Sequence, residues 1–273
     1  MEVAIQGEYG SFSHQAALHM VPEATILPCA YSAEVFAKVV KDNIAAVIPI
    51  ENSLAGSVVE HFDLLSQNDV RIDGELLLRI RHNLIGVPGS KLECIRRVSS
   101  HPVALAQCRR FLAHHPEMTP SPAYDTAGSV KQIVQGGDPT AGAIASLHAS
   151  VYYGGYVLAA DIEDNPANFT RFFLIHSNRE AKLQTSFNKV SIAFIVENRP
   201  GTLVSALQVF ADNHTNLNKI ESRPVHGQPW EYVFYVDYQV SQPGAASSVL
   251  NQLRGQCLVV KELGRYQAAR DPF

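Results

Sequence analysis

The sequence has no excess of positive charge, no paired cysteines and no long apolar run. Among 273 residues there are 22 Lys or Arg against 26 Asp or Glu, a formal net charge of -4. No Lys/Arg run could form a stripe that tracks phosphates, so nucleic acid is not an expected partner. The four cysteines, Cys29, Cys94, Cys108 and Cys257, lie far apart and make neither a C-x-x-C pair nor a tight framework. They read as reduced thiols of a cytoplasmic protein. No apolar stretch is long enough to span a bilayer, and the opening residues 1–7 read as a first strand rather than a secretory leader. A Walker A loop, H-E-x-x-H and G-x-S-x-G are all missing, and Gly7 and Gly10 do not complete G-x-G-x-x-G. The adjacent His114 and His115, beside Pro116, read as part of a loop. Metal, dinucleotide and serine-hydrolase chemistry lose their support, and neither metal nor cofactor is expected.

What the chain does have is enough apolar residue, 46% against 18% charged, to bury a real core. Its length favours two domains. Apolar runs alternate with helical spacing, and small polar residues stand where each strand passes into a helix. Val3–Ile5 runs into a Gly7/Gly10 loop and a helix start at Ser11 or Ser13, and Ser32 is expected to cap a second helix. Residues 45–50 are apolar throughout, as in a strand buried on both faces, and end in Glu51, Asn52 and Ser53. Ser100, His101 and Pro102 open a helix whose apolar face is Ala104, Leu105, Cys108, Phe111 and Leu112, leaving Gln107 off that face. Another helix begins near Thr126, and the small-residue strand 141–145 ends at Ser146. These units imply an α/β domain of two lobes with a cleft between them. From about Ser186 the order changes to β-α-β-β-α-β, a ferredoxin-like unit, with Trp230, Tyr232, Phe234, Val236 and Tyr238 on one face of a long strand.

A polar, turn-prone run from Asp164 to Asn168 passes straight into the apolar run Phe172–Ile175, with Thr170 and Arg171 at the junction. With Asn52, Ser53, Gln107, Thr126, Ser146 and Asn168 they form a set of hydroxyl, amide and guanidinium groups. Such a set suits binding a small polyanion and giving it a proton. Because ligands gather at strand ends in α/β sheets, the cleft is the natural place for it.

Residues 48–53 (Ile-Pro-Ile-Glu-Asn-Ser), Ser100-His101-Pro102 with Gln107-Cys108, Ala145-Ser146 and above all residues 168–172 (Asn-Phe-Thr-Arg-Phe) resemble the ordered motifs of prephenate dehydratases. Residues 216–224 and Leu263-Gly264-Arg265-Tyr266 resemble the ACT regulatory domain of that family. Departures are Glu8 for the usual Pro, Val103 where Gln is common, and Thr202 for Ala in the effector motif. The resemblance implies a two-lobed, periplasmic-binding-protein-like catalytic domain over residues 1–180 and a ferredoxin-like (βαββαβ) ACT domain over residues 186–268. It implies cofactor-free conversion of prephenate to phenylpyruvate in phenylalanine biosynthesis, feedback inhibition by phenylalanine, and a homodimer or homotetramer. Thr170 is the implied proton donor. Arg171 is either a carboxylate-binding, motif-orienting cation or the partner of an internal carboxylate such as Glu51. Glu51, Asn52, Ser53, Gln107, Thr126, Ser146, Asn168 and Phe172 are the implied substrate-binding set, with Phe172 also readable as core. Gly201, Thr202, Leu203, Asn216, Leu217, Glu221, Ser222, Arg223 and Pro224 are the implied effector set. On this view the C-terminal unit is separable, so deleting residue 186 onward would abolish inhibition and spare activity. Two other readings remain open: arogenate as the substrate, and a non-catalytic small-molecule receptor carrying an ACT sensor.

Overall fold

The structure is a computed structural model that describes residues 1–180, 186–225 and 230–270. The chain opens with β1 (Glu2–Gln6), α1 (Phe12–Met20), β2 (Thr25–Cys29), α2 (Ser32–Lys41), β3 (Ala45–Asn52), β4 (Gly56–Ser57), α3 (Val59–Gln67) and β5 (Val70–Arg79). It crosses to a second lobe made of β6 (Asn83–Gly86), β7 (Arg97–Ser100), α4 (Pro102–Ala106), α5 (Arg109–His114), β8 (Thr119–Pro122), α6 (Thr126–Gly136), β9 (Ala141–Ala145), α7 (Leu147–Tyr153) and β10 (Tyr156–Ala159). It then returns as β11 (Phe169–Ser177) and continues through β12 (Lys189–Ile195), α8 (Thr202–Asp212), β13 (Asn216–Pro224), β14 (Tyr232–Gln239), α9 (Pro243–Arg254) and β15 (Val259–Tyr266).

The apolar runs become inner strands. β3 lies between parallel β1 and antiparallel β11, so both of its faces are covered and its first four residues are fully enclosed. Val35, Phe36 and Val39 of α2 close one face of this sheet, and Ala16 and Ala17 of α1 the other. The second lobe is a five-stranded sheet in the order β10-β6-β9-β7-β8. Only the segments after β5 and before β11 join the lobes, so the cleft forms between them. At Gly10, φ is +80° and an added Cβ would stand 2.7 Å from Ala149 Cα, so only glycine lets the β1–α1 loop approach α7 this closely.

The C-terminal unit is not an appendage. Its strands and those of the first lobe form one ten-stranded sheet, ordered β13-β14-β12-β15-β5-β11-β3-β1-β2 with β4 beside β3. The junction is β15 against β5, where Gly264 pairs with Ile72 and an added Cβ would be 2.3 Å from Ile72 O. Phe62, Phe173 and Ile175 of the first lobe share one core with Tyr235, Leu263 and Tyr266. Each such buried side chain contributes about 1.5–3 kcal/mol.

Some local expectations shift. Ser32 is the first residue of α2 rather than its cap, and its hydroxyl donates to Glu60 and meets His61 Nε2. The helix expected across 102–112 is broken in two at Gln107 and Cys108. His114, expected in a loop, is the last residue of α5. Trp230 has φ +69°, is exposed, and lies outside β14. Among the described residues no helix is long and apolar enough to cross a membrane.

Candidate active site in the interlobe cleft

A cavity of about 510 Å³ lies between the lobes. The first lobe supplies Gly7, Ser11 and Phe12 from the β1–α1 loop, and Pro49, Asn52 and Ser57 from β3 and β4. The second supplies His101, Gln107, Tyr124, Asp125 and Thr126, while Ile80 and His82 come from the crossing. Thr170 and Phe172 complete the wall from β11. Alternation along β11 puts these two on the cleft face and Arg171 on the opposite one.

Register places the polar centre. Thr170 pairs with Asn52 across β11 and β3. Asn52 Oδ1 accepts from the backbone N–H groups of Leu54 (3.0 Å) and Ala55 (2.9 Å), which fixes the amide so that Nδ2 faces β11. That nitrogen donates to Asn168 Oδ1 (2.7 Å) and Thr170 Oγ1 (3.0 Å), with Phe169 O at 3.1 Å. Thr170 Oγ1 therefore accepts from the protein, and among the described residues its own hydrogen has no protein acceptor. A donor hydrogen is left for whatever fills the cleft. Gln107, freed by the break between α4 and α5, reaches the same centre. Its Nε2 lies 3.4 Å from Asn52 Oδ1, and its Oε1 accepts from Asn168 Nδ2 at 2.9 Å.

Among the described residues that line the cavity there is no Lys or Arg. The N-terminus of α1, capped by the neutral Ser11, turns the positive end of its dipole to the cleft, whereas that of α6 is capped by the Asp125 carboxyl. Burial, aided by nearby Glu8, raises the Asp125 carboxyl above the usual range against the pull of the Gly128 N–H that it accepts at 2.5 Å. Burial also lowers His82 and His101 below the ordinary histidine value, which favours neutral rings. Among the described residues no cluster of His, Cys, Asp and Glu is placed to hold a metal ion.

Of the residues singled out in the sequence, Asn52, Gln107, Thr126, Thr170 and Phe172 line the cavity, and Asn168, fully enclosed, sits behind them. The remaining expected residues turn elsewhere. Ser53 ties the loop before β11, donating to Ala167 O and accepting from Phe169 N, both at 3.0 Å. Ser146 donates to Gly10 O (2.8 Å) and caps α7. Glu51 pairs with Lys219 of β13 at 3.1 Å.

Arg171 does not reach the cleft. Its guanidinium meets Glu75 (2.6 Å), Asp237 (2.5 Å) and Tyr266 OH (3.1 Å), and stacks 4.6 Å above the Phe173 ring. Burial alone would lower its pKa, but Asp237, Tyr266 and Glu75 together raise it, so it stays charged. Pairing with internal carboxylates is thus what the geometry favours, with Glu51 only a distant member at 3.9 Å.

The expected effector residues fall into two groups. Gly201, at φ +87°, precedes α8, the Thr202 hydroxyl lies against Glu197 O (2.6 Å) and Arg199 O (2.9 Å), and Leu203 packs on the core of the C-terminal unit. Asn216 and Leu217 start β13, and Ser222 and Pro224 near its end are exposed. Glu221 and Arg223 face the first lobe, where Glu221 accepts from Ser57 Oγ at 2.5 Å and Arg223 meets Asp63 at 3.1 Å. Lys219 and the Ser57 hydroxyl hold the Glu221 carboxyl below its usual range against burial.

Sequence reading missed His82, Asp125 and Ser57. The only trace of His82 is a polar residue between two apolar runs, and Asp125 was hidden in the role of a helix cap.

Residues 3–180 match the family model described as prephenate dehydratase, and residues 190–254 match the ACT domain model. The chain is 37% identical to arogenate dehydratase/prephenate dehydratase 2 of Arabidopsis thaliana, over 97% of this chain and 72% of that protein. Solved structures also align over nearly the whole chain, and two of them show the range of descriptions. One, described as GqqA, a novel type of quorum quenching acylase, has TM-score 0.90 and 33% identity over 100% of this chain and 99% of the other. The other, the prephenate dehydratase of Arthrobacter aurescens in complex with L-Phe, has TM-score 0.88 and 31% identity over 98% and 90%. By cleft, motif order and these matches, the chain belongs to the prephenate dehydratase family and carries an ACT domain after the dehydratase unit.

Proposed function

We propose that the cleft converts prephenate to phenylpyruvate with Thr170 as the proton donor. The ring carboxylate departs as carbon dioxide, and the electron pair of the broken C–C bond completes the aromatic ring. The C–O bond to the ring hydroxyl breaks as that oxygen takes one proton and leaves as water. Aromatisation drives the reaction, so the protein has only to orient the dianion and supply the proton. The observation that carries this reading is the Thr170 hydroxyl, which accepts from Asn52 and keeps its hydrogen for the cleft. A threonine is a weak acid, and the Asn52 N–H offsets the charge that develops on Oγ1 as its proton leaves. The helix N-terminus of α1 would face one of the substrate's carboxylates. The test is phenylpyruvate formation from prephenate without added metal or nucleotide, compared between the wild type and Thr170→Ala.

One observation favours arogenate as a second reading. The Asp125 carboxyl stands on a wall with no Lys or Arg among its described residues, an arrangement that suits a substrate ammonium. The Arabidopsis relative carries both names. Parallel kcat/KM values for the two substrates decide between them.

The ACT domain would bind phenylalanine and inhibit, as the L-Phe complex of the Arthrobacter relative supports. Its route to the cleft would be Glu221, which holds Ser57 on the cavity wall. A homodimer or homotetramer fits β13, an edge strand with Ile220 exposed. Light scattering of the purified protein tests that state.

A further inference from the structure

At the far end of the amide chain from Thr170 stands His82, in the crossing between β5 and β6. It is 2% exposed, its backbone N–H donates to Glu163 (2.9 Å), and its ring meets Phe12 of the cavity wall edge-on at 5.7 Å. Its Nε2 lies 2.9 Å from Gln107 Oε1. Its Nδ1 is buried and has no partner among the described residues.

The hydrogens in this chain can be assigned by logic. Two backbone N–H groups fix Asn52 Oδ1, so Asn52 Nδ2 must face Asn168 and Thr170. Asn168 accepts there through Oδ1, so its Nδ2 must face Gln107. The Gln107 atom that meets both Asn168 Nδ2 and His82 is then Oε1, which leaves its Nε2 for Asn52 Oδ1. An amide oxygen only accepts, so His82 Nε2 must carry a hydrogen. The assignment ends at Thr170, whose Oγ1 takes a hydrogen from Asn52 and keeps its own for the cleft.

We propose that His82 is a positioning residue of the dehydratase site: its Nε2–H locks the Gln107 amide, and through Asn168 and Asn52 holds Thr170 with its hydroxyl hydrogen free. This rests on the reading of Thr170 as proton donor. Without the His82 donor, Gln107 Oε1 keeps only Asn168, and the long 3.4 Å contact of its Nε2 to Asn52 is the one other hold on the amide among the described residues. A turned amide would set oxygen against Asn52 Oδ1 and nitrogen against Asn168 Nδ2, two repulsive contacts beside the donor. Burial keeps the ring neutral, consistent with a single ring hydrogen.

The test compares full-length wild type with His82→Gln, which can keep a side-chain N–H near the Nε2 position, and His82→Leu, which cannot. The expected result is a fall in kcat of about tenfold for His82→Leu, as for loss of one buried hydrogen bond. KM should change little, and His82→Gln should recover most of the rate. A packing role alone would lower both variants alike, so equal loss in the two, or wild-type kcat in His82→Leu, overturns the proposal. If His82→Leu does not fold, His82→Asn replaces it, since its shorter amide cannot reach Gln107 Oε1 and should be as slow. Turnover by the wild type and its loss in Thr170→Ala report on the underlying reading separately, with prephenate or arogenate as substrate. Independently of activity, long-range nitrogen–proton NMR spectra of the ring should show the hydrogen on Nε2, and a hydrogen on Nδ1 instead would contradict the assignment.

Discussion

Arg171 Nη1 lies 2.5 Å from Asp237 Oδ2, so the residue that follows the proposed proton donor on β11 is ion-paired to the regulatory sheet. Glu75 joins Arg171 to Lys189 of β12, which it meets at 2.9 Å, and Ser191 and Tyr266 hydrogen-bond to one another beside them. Two cations and two anions balance in this enclosed cluster. Replacing Arg171 with Met would leave two buried carboxylates with Lys189 alone. The expected cost is about 3–5 kcal/mol, as for breaking a buried ion pair. Urea unfolding measures it, and a variant as stable as the wild type would show that the cluster does not hold the sheets together.

The same cluster changes what truncation should do. Removing residue 186 onward takes away Asp237, Lys189 and Tyr266 and uncovers Phe62, Phe173 and Ile175. At about 1.5–3 kcal/mol for each such side chain, the loss is comparable with the whole stability of a typical domain. Activity is therefore expected to disappear together with inhibition, rather than survive as a separable module would allow. Wild-type turnover by a soluble, cooperatively unfolding truncation would contradict this.

Much of this arrangement was legible in the sequence, for reasons that differ by element. The run 45–50 showed a strand buried on both faces because β3 has neighbours on both sides, and of the polar residues beyond it Asn52 falls at the cleft. Arg171 was not legible. Strand alternation says that it points opposite to Thr170, but only tertiary structure shows that the opposite face meets a regulatory strand carrying Asp237. Trp230 fitted the alternation of β14, yet its left-handed backbone turns it out of the strand. His82 showed only as a polar residue between two apolar runs, since its role comes from Gln107, which is 25 residues away in sequence.

Asp125 offers a test of substrate charge. Replacing it with Asn keeps a side-chain acceptor for the Gly128 N–H and removes an anion from the cavity wall. The kcat/KM ratio of prephenate to arogenate is expected to rise several-fold, in line with about 1 kcal/mol of charge interaction. An unchanged ratio would mean that Asp125 does not face the substrate's variable group.

Acid should destabilise the interlobe contact at His14. Burial, with His148 adjacent at a ring separation of 4.6 Å, lowers the His14 pKa from 6.5 to about 4. Its Nδ1 accepts from Gly10 N (2.9 Å), and the rings of Tyr9 and Tyr152 complete its surroundings, so the neutral form is the one that fits. A histidine with a depressed folded pKa leaves the unfolded chain binding more protons. Stability is therefore complete above pH 6.5 and falls as pH drops from 6.5 toward about 4. Unfolding midpoints across that window should decline less steeply for His14→Gln than for the wild type, and parallel profiles would assign the acid sensitivity elsewhere.

The most direct measurement is steady-state turnover by Thr170→Ala. The hydroxyl at this position accepts from Asn52 and gives its hydrogen to the cleft, while Arg171 beside it leaves binding of the substrate to other groups. Removing the donor should lower kcat by about 10²–10⁴-fold, the range for a positioned proton donor, with KM changed far less. Turnover equal to the wild type, or a loss carried wholly by KM, would contradict proton delivery by Thr170.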